Sequence, residues 1–123
     1  EELAAARDQL AKAAVDLEGI VGTMLADLAA TEQDVRSIYK VGLNSTRLLL
    51  ASGDVVIAYL LLRGASVAAE KLPDASPKDT AFYTGKIAAA KFFATEILPG
   101  VGTQRALAEA VTLDLMDLPE EAF

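Results

Sequence analysis

The chain has 123 residues, 11 Lys and Arg against 18 Asp and Glu, a net charge of -7, and neither cysteine nor histidine. The acidic balance disfavours nucleic acid and anionic lipid as partners, and the missing Cys and His remove disulfides, the usual zinc sites and nucleophile–His pairs. Residues 1–123 fit one domain, but hydrophobic residues make up 53% of them, so we expect some apolar surface to serve a partner.

A first amphipathic helix is predicted over residues 2–30, and we expect it to pack on one side. Its apolar stripe recurs every seven residues at Leu3, Leu10, Leu17 and Met24. Four repeats favour packing in a bundle core over an extended coiled coil. Gly19 and Gly22 either weaken this helix locally or let a neighbour approach closely.

A second helix is predicted over residues 32–72, with Thr31 as its N-cap, because no proline occurs before Pro73. Its middle, residues 48–62, reads LLLASGDVVIAYLLL and carries one side chain that is charged at neutral pH, Asp54. We expect this run to be the buried centre of the domain. A membrane span is disfavoured, since a central Asp costs roughly 2.5 to 3.5 kcal/mol on insertion scales.

Three glycines in this second helix, Gly42, Gly53 and Gly64, are spaced by eleven residues. Eleven residues make about three turns, so the three glycines share one helix face. Either they form a bare groove that another backbone can approach, or they are unrelated glycines that a well-packed helix tolerates.

The segment from Pro73 to Pro77 is the clearest helix breaker, with Ser76 placed to cap a third helix over residues 77–98. Pro99 either ends or kinks that helix, and a fourth is predicted over residues 102–116. The third helix carries a stripe of Phe82, Ile87, Ala90 and either Phe93 or Phe92. The expected fold is all-α: an antiparallel bundle of about four helices around a long apolar second helix.

No residue set in the sequence predicts catalysis, cofactor binding or metal binding. The carboxylates lack metal-ligand spacing, and the segment from Gly100 to Gly102 follows no strand and matches no phosphate-binding motif. Asp54 and Lys86 stand out as possible buried charges, because each lies in an apolar stretch. We expect each to find a charged or hydrogen-bonding partner, with pairing to one another left open.

Residues 81–99, AFYTGKIAAAKFFATEILP, resemble the helical domain at the extreme C-terminus of a subgroup of acyl-CoA dehydrogenases. That domain carries a Phe-Tyr-x-Gly-Lys-x-x-x-Ala-x-Phe-Phe run ending in Leu-Pro, and the likeness extends over the chain from about Leu43. The matched positions are expected to serve packing and docking: Phe82, Tyr83, Gly85, Lys86, Phe92, Phe93 and Pro99.

The resemblance implies a flavoprotein of fatty acid metabolism, an oxidoreductase that converts acyl-CoA thioesters to 2-enoyl-CoA with FAD and a glutamate base. We expect it to be a homo-oligomer in the cytoplasm, a location that the absence of cysteine permits. The flavin domain and the base lie upstream in such enzymes. This chain, which starts at Glu1 without a Met, is then expected to be a noncatalytic piece cut from the C-terminus of a larger protein. Its partners would be the catalytic core or a dimer mate. The alternative is a self-contained helical module for protein–protein interaction.

Overall fold

The computed structural model describes residues 2–123, and every regular element within them is helical. This confirms the all-α bundle. Residues 110–123 form turns and one short 3₁₀ segment, Glu120–Ala122, so the fourth helix does not reach residue 116 as expected. β-branched Val111 and Thr112, which follow it, are poor helix formers. The α-helices are α1 (Ala4–Ala30), α2 (Ile38–Lys71), α3 (Pro77–Phe92) and α4 (Gly100–Glu109).

The corner between α1 and α2 differs from the prediction that Thr31 caps the second helix. The Thr31 hydroxyl instead donates to the Leu28 carbonyl oxygen at 2.6 Å and so helps to end α1. Asp34 caps a 3₁₀ turn, Val35–Ser37, by accepting from the Arg36 amide at 3.0 Å. The second helix therefore begins at Ile38, because Thr31 bonds backward to a C-terminal carbonyl rather than forward to a free amide.

The corner between α2 and α3 follows its prediction. The Ser76 hydroxyl accepts from the Asp79 amide at 3.2 Å, and Pro77 occupies the first position of α3. Proline suits that position because its missing N–H has no partner there in any case.

Pro99 kinks the chain between α3 and α4 without ending the helical path. A π-turn, Phe93–Ile97, widens the helix, and the Leu98 amide bonds to the Phe93 carbonyl five residues back at 3.0 Å. Pro99 itself keeps helical angles, φ -58° and ψ -21°, and α4 starts at the next residue. Pro99 has no amide hydrogen to donate, and the wider turn accommodates the loss of that hydrogen bond. α3 and α4 therefore form one bent arm.

The core consists of two clusters in which α1, α2 and this bent arm meet. Nine of their fifteen residues are alanine, so the helices can approach closely. The first cluster comprises Leu3, Ala6, Leu62, Ala65, Ala68, Ile87, Ala90 and Ala94. The second comprises Ala13, Ile20, Ala51, Ala58, Leu98, Val101 and Ala108.

The expectation that residues 48–62 form a buried centre is wrong. In that run Ala51, Ala58 and Leu62 are buried, whereas Leu49 is 70% exposed. α1 and the α3–α4 arm contact only one side of α2, so they cover about half of its circumference. By length and composition the helical stretch Val35–Asp74 could cross a membrane, and 22% of its most apolar window is buried.

Candidate docking surface

The uncovered side of α2 is a continuous face without a charged residue from Ile38 to Val67. At about 100° per residue, its members lie within roughly 60° of the direction of Gly53, and they extend over about 45 Å. All are exposed. We call this set the outer face: Ile38, Tyr39, Gly42, Thr46, Leu49, Leu50, Gly53, Val56, Ile57, Leu60, Gly64 and Val67.

The opposite, inner side of α2 explains why the large apolar residues point outward. Ala51, Ala58 and Ala65 recur every seven residues and are almost fully buried. Their small side chains let α1 and α3 pack closely, so most positions on the inner side of α2 hold alanine, with Leu62 as a buried larger residue. An apolar face as long as the outer face is more than a free monomer usually exposes, so it indicates a site of association.

The structure places Gly42, Gly53 and Gly64 together on the outer face. Among the atoms of residues 2–123, a Cβ at any of the three would meet none within 4 Å. Gly19 of α1 differs, since a Cβ there would lie 2.3 Å from Nε of Arg105. At Gly19, the close approach that a glycine permits is thus made by a side chain of the domain itself. At Gly42, Gly53 and Gly64, the space beside the backbone is open to a partner.

The α3 motif divides into packing and exposed residues. Tyr83 packs against the first core cluster and Phe93 against the second. Phe92 is 61% exposed. The other motif residues are also exposed, and they are Phe82, Gly85, Lys86 and Pro99.

Phe82 and Lys86 border a groove between α2 and α3 that continues the outer face. The groove holds about 410 Å³, and Gly64 and Val67 belong both to its lining and to the outer face. Nζ of Lys86 lies 5.3 Å from the centre of the Phe82 ring. Lys71 also lines this groove, and among residues 2–123 neither lysine forms a salt bridge. The end of the outer face near Gly64 is therefore apolar and is bordered by the two lysines.

Asp54 and Lys86 do not form the buried charges that the sequence suggested. Lys86 is exposed, and Asp54 is partly exposed at the edge of the outer face. Within residues 2–123, no hydrogen bond or salt bridge joins them. The expectation assumed that the run around Asp54 was buried. Because one side of α2 is open, both groups keep access to water and need no ionic partner.

Sequence reasoning missed Asn44, which is fully buried between α2 and α4. Its Nδ2 donates to the Ala108 carbonyl oxygen at 3.3 Å, and its Oδ1 accepts from Nε of Arg47 at 3.2 Å. Nη1 of Arg47 in turn donates to Oε1 of Gln104 at 2.6 Å. This network fixes α4 against α2. The only signal in the sequence is a lone Asn among weak helix formers, which is equally typical of a surface.

Two arginines anchor ion clusters at the edges of the bundle. Arg105 donates to Glu109 at 2.8 Å and to Asp16 at 3.4 Å. Its hydrogen bond to Glu109 raises the pKa of the guanidinium above its ordinary value. Arg36 bonds to Asp34 and to Asp117 of the tail. The hydrogen bond from Arg36 also lowers the pKa of Asp34. The Arg36 cluster joins the C-terminal segment, residues 110–123, to the corner before α2, and the Arg105 cluster joins α4 to α1.

The glycine pair Gly100 and Gly102 does not suit the pyrophosphate of a flavin or nicotinamide cofactor. Val101 between them is fully buried. A Cβ on Gly102 would lie 3.0 Å from a carboxylate oxygen of Asp16. The Asp16 carboxylate therefore occupies the space beside this helix start that a phosphate would need. Among residues 2–123 no group of three carboxylates lies close enough to hold a metal ion.

A family model described as "Acetyl-CoA dehydrogenase C-terminal like" matches residues 1–119, a wider match than the likeness from Leu43 suggested. The chain is 43% identical over 118 residues, 95% of its length, to the broad-specificity linear acyl-CoA dehydrogenase FadE5 of Mycobacterium tuberculosis. It is 42% identical over 86 residues, 68% of its length, to a butyryl-CoA dehydrogenase of Syntrophomonas wolfei. A second such match is 31% identical over 125 residues, 99% of the chain. These matches span 19%, 14% and 19% of the relatives, respectively.

Proposed function

Because the chain belongs to the acetyl-CoA dehydrogenase C-terminal-like family, we propose that it is the noncatalytic accessory domain of an FAD-dependent acyl-CoA dehydrogenase. The whole protein oxidises acyl-CoA thioesters to 2-enoyl-CoA, with the flavin and the glutamate base in its other domains. The relatives support this reading, since the chain spans at most a fifth of each. The residues of this chain then contribute structure rather than reacting groups.

The observation that carries this proposal is the uncovered outer face of α2. Roughly 25 cal/mol is gained for each Å² of apolar surface removed from water, so a face of this size favours association strongly. The domain docks through it on the catalytic core or on a dimer mate and makes that part more rigid. The motif residues Phe82 and Phe92 add further exposed aromatic surface on α3.

We also propose that the protein is cytoplasmic, homo-oligomeric and free of a membrane span. α1 and the α3–α4 arm already pack on the inner side of α2. A spanning helix would instead carry Arg47, Asp54 and Arg63 into or beside the hydrocarbon layer, which is costly.

The test is a comparison of the complete polypeptide with a version from which residues 1–123 have been deleted. The complete protein should show a flavin absorbance spectrum and oxidise acyl-CoA esters, and the 123-residue chain alone should do neither. The shortened protein should keep flavin but melt at a lower temperature. Acyl-CoA oxidation by the 123-residue chain, or a complete polypeptide without flavin, would contradict the proposal.

The second candidate is a self-contained module that dimerises through the same outer face. The coding sequence upstream of Glu1 separates the two. A flavin-binding domain and a helical domain with a glutamate base support the dehydrogenase. A start codon within a few residues supports the separate module.

A further inference from the structure

We propose that the outer face of α2 is the contact through which the domain docks, and that its occupant is an apolar α-helix of the same, longer polypeptide. That helix crosses α2 close to Gly53 and ends on an acidic residue near Lys71 and Lys86. This inference rests on the proposed function and adds the identity and chemistry of the partner that covers the outer face.

The shape of the outer face fits a helix. Gly53 lies at its centre with no atom within 4 Å of a Cβ built there. Large side chains flank this bare spot, and the nearest are Leu49, Leu50, Val56 and Ile57. A depression between such ridges accepts a ridge of side chains from a second helix, and glycine at the crossing brings the two axes closer than the usual 8–10 Å. The remaining glycines, Gly42 and Gly64, lie along the same line about three turns away.

Charge favours one direction for this partner. At the end of the face near Gly64, Lys71 and Lys86 stand beside an apolar groove and form no salt bridge among residues 2–123. A carboxylate that reaches this groove would find two ammonium groups in an otherwise acidic protein. The middle of the face carries no charge, so the partner must be apolar there.

The remainder of the polypeptide is a better occupant than a second copy of this chain. The curated relatives are at least five times as long as the part that this chain matches, so a large protein surface is present next to the domain. In an antiparallel pair of α2 helices centred on Gly53, Lys71 of one copy would face the end that carries Arg36 of the other. The carboxylates at that end, Asp34 and Asp117, are already bonded to Arg36, so they are engaged before they could pair with the lysines.

A lipid surface is also a poorer occupant. Asp54 lies one residue from Gly53, halfway along the helix and at the edge of the outer face. If this face entered hydrocarbon, Asp54 would enter with it near mid-depth and lose its water. A protein partner can leave this edge open to solvent.

The test uses single thiols, because the chain contains no cysteine. Leu60→Cys places a thiol on the outer face and Val15→Cys places one on α1, and the two parent residues are equally accessible at 56% and 58%. Val15 is flanked by Lys12 and Glu18, so it does not belong to an apolar face. Maleimide labelling of each position is followed by mass spectrometry, both in the 123-residue chain and in the complete polypeptide.

In the complete polypeptide we expect labelling at position 60 to slow by about 100-fold, since a docked face is reached only when it opens. Labelling at position 15 should change by less than about threefold in the same comparison. Adding Gly53→Leu to Leu60→Cys should restore fast labelling, whereas Gly22→Leu, at another open helical glycine, should not. Equal labelling of positions 60 and 15 in the complete polypeptide would overturn the inference.

Other results also overturn it and identify the true occupant. Slower labelling at position 60 with rising concentration of the 123-residue chain would assign the face to a second copy. Slower labelling on addition of phosphatidylcholine and phosphatidylglycerol vesicles would assign it to lipid. Flavin content and acyl-CoA oxidation are measured on the same samples. If the complete polypeptide is an active flavoprotein but its thiol at position 60 is labelled rapidly, only this inference is wrong. If the complete polypeptide contains no flavin, the proposed function is wrong.

Discussion

The two sides of α2 have the same apolar character but opposite surroundings. The inner side is mostly alanine and is buried against α1 and the α3–α4 arm, whereas the outer side carries leucine, valine and isoleucine in water. A free-standing bundle normally places its largest apolar residues in the core. The reversed order of size indicates that the outer side is the core of a second, larger interface.

Gly19 and Gly53 repeat this contrast at the level of single residues. Both lie inside helices, where glycine costs about 1 kcal/mol relative to alanine. At Gly19 a contact offsets this loss of stability, because the Arg105 side chain lies across the bare backbone and reaches Asp16. At Gly53 no atom from the described part of the chain, residues 2–123, lies within 4 Å of an added Cβ.

The largest effect is expected at adjacent phenylalanines of the motif. Phe93→Ala should lower the free energy of unfolding by about 3 kcal/mol, because Phe93 packs against the second core cluster. Phe92→Ala should lower it by less than about 1 kcal/mol in the 123-residue chain, since Phe92 is mostly exposed. Urea denaturation measures both. Equal losses would contradict the assignment of Phe93 to the core and of Phe92 to the exposed side.

A smaller loss is expected at Asn44. Asn44→Ala should cost about 2 kcal/mol, because it leaves the Ala108 carbonyl without its buried donor and frees Arg47. Ser45→Ala, at the exposed next position, should change stability by less than about 0.5 kcal/mol. Thermal melts of both variants make the comparison. An unchanged Asn44→Ala melt would mean that the buried network does not hold α4 on α2.

Alanine at the two glycines should give different results. Gly53→Ala should raise the stability of the 123-residue chain by up to about 1 kcal/mol, since the new Cβ meets nothing. Gly19→Ala should gain clearly less, because its Cβ displaces Arg105 from its contact with Asp16. Urea denaturation of the pair gives the difference. If Gly19→Ala stabilised the chain as much as Gly53→Ala, close packing at Gly19 would have no energetic role.

The smallest effect concerns Asp34, whose pKa Arg36 lowers below its ordinary value of 3.8. Such a group contributes stability that is present above its ordinary pKa and is lost as the pH falls through the lowered pKa of the folded state. The stability difference between the natural chain and Asp34→Asn should therefore be constant near neutral pH and shrink below about pH 4. Melts across pH 2 to 7 measure it. A difference that grows in acid would reverse the sign assigned to Arg36.

The sequence predicted those parts of the fold that depend on neighbouring residues. Ser76 and Pro77 define the start of α3 through contacts three residues away, and the structure confirms them. Thr31 shows the limit of such signals, because a threonine between two helices can bond backward or forward. It bonds to Leu28 and ends α1.

Features that depend on distant residues could not be predicted in the same way. Apolar residues surround the whole circumference of α2, so periodicity cannot say which side the other helices cover. That is why the central run was expected to be buried. Asn44 is satisfied by the Ala108 carbonyl, 64 residues away, and its own neighbours do not reveal this contact. The resemblance predicted packing and docking roles for the motif residues as a group. Only the structure shows that Phe93 packs against the core and that Phe92 is exposed.

The most direct test of the central claim is an experimental structure of the complete polypeptide that contains this domain. We expect Leu49 and Leu60, 70% and 56% exposed in the domain alone, to be buried there beneath a helix from another part of the same chain, with a carboxylate beside Lys71 and Lys86. A structure in which both leucines remain in open solvent would show that the outer face of α2 is not a docking surface.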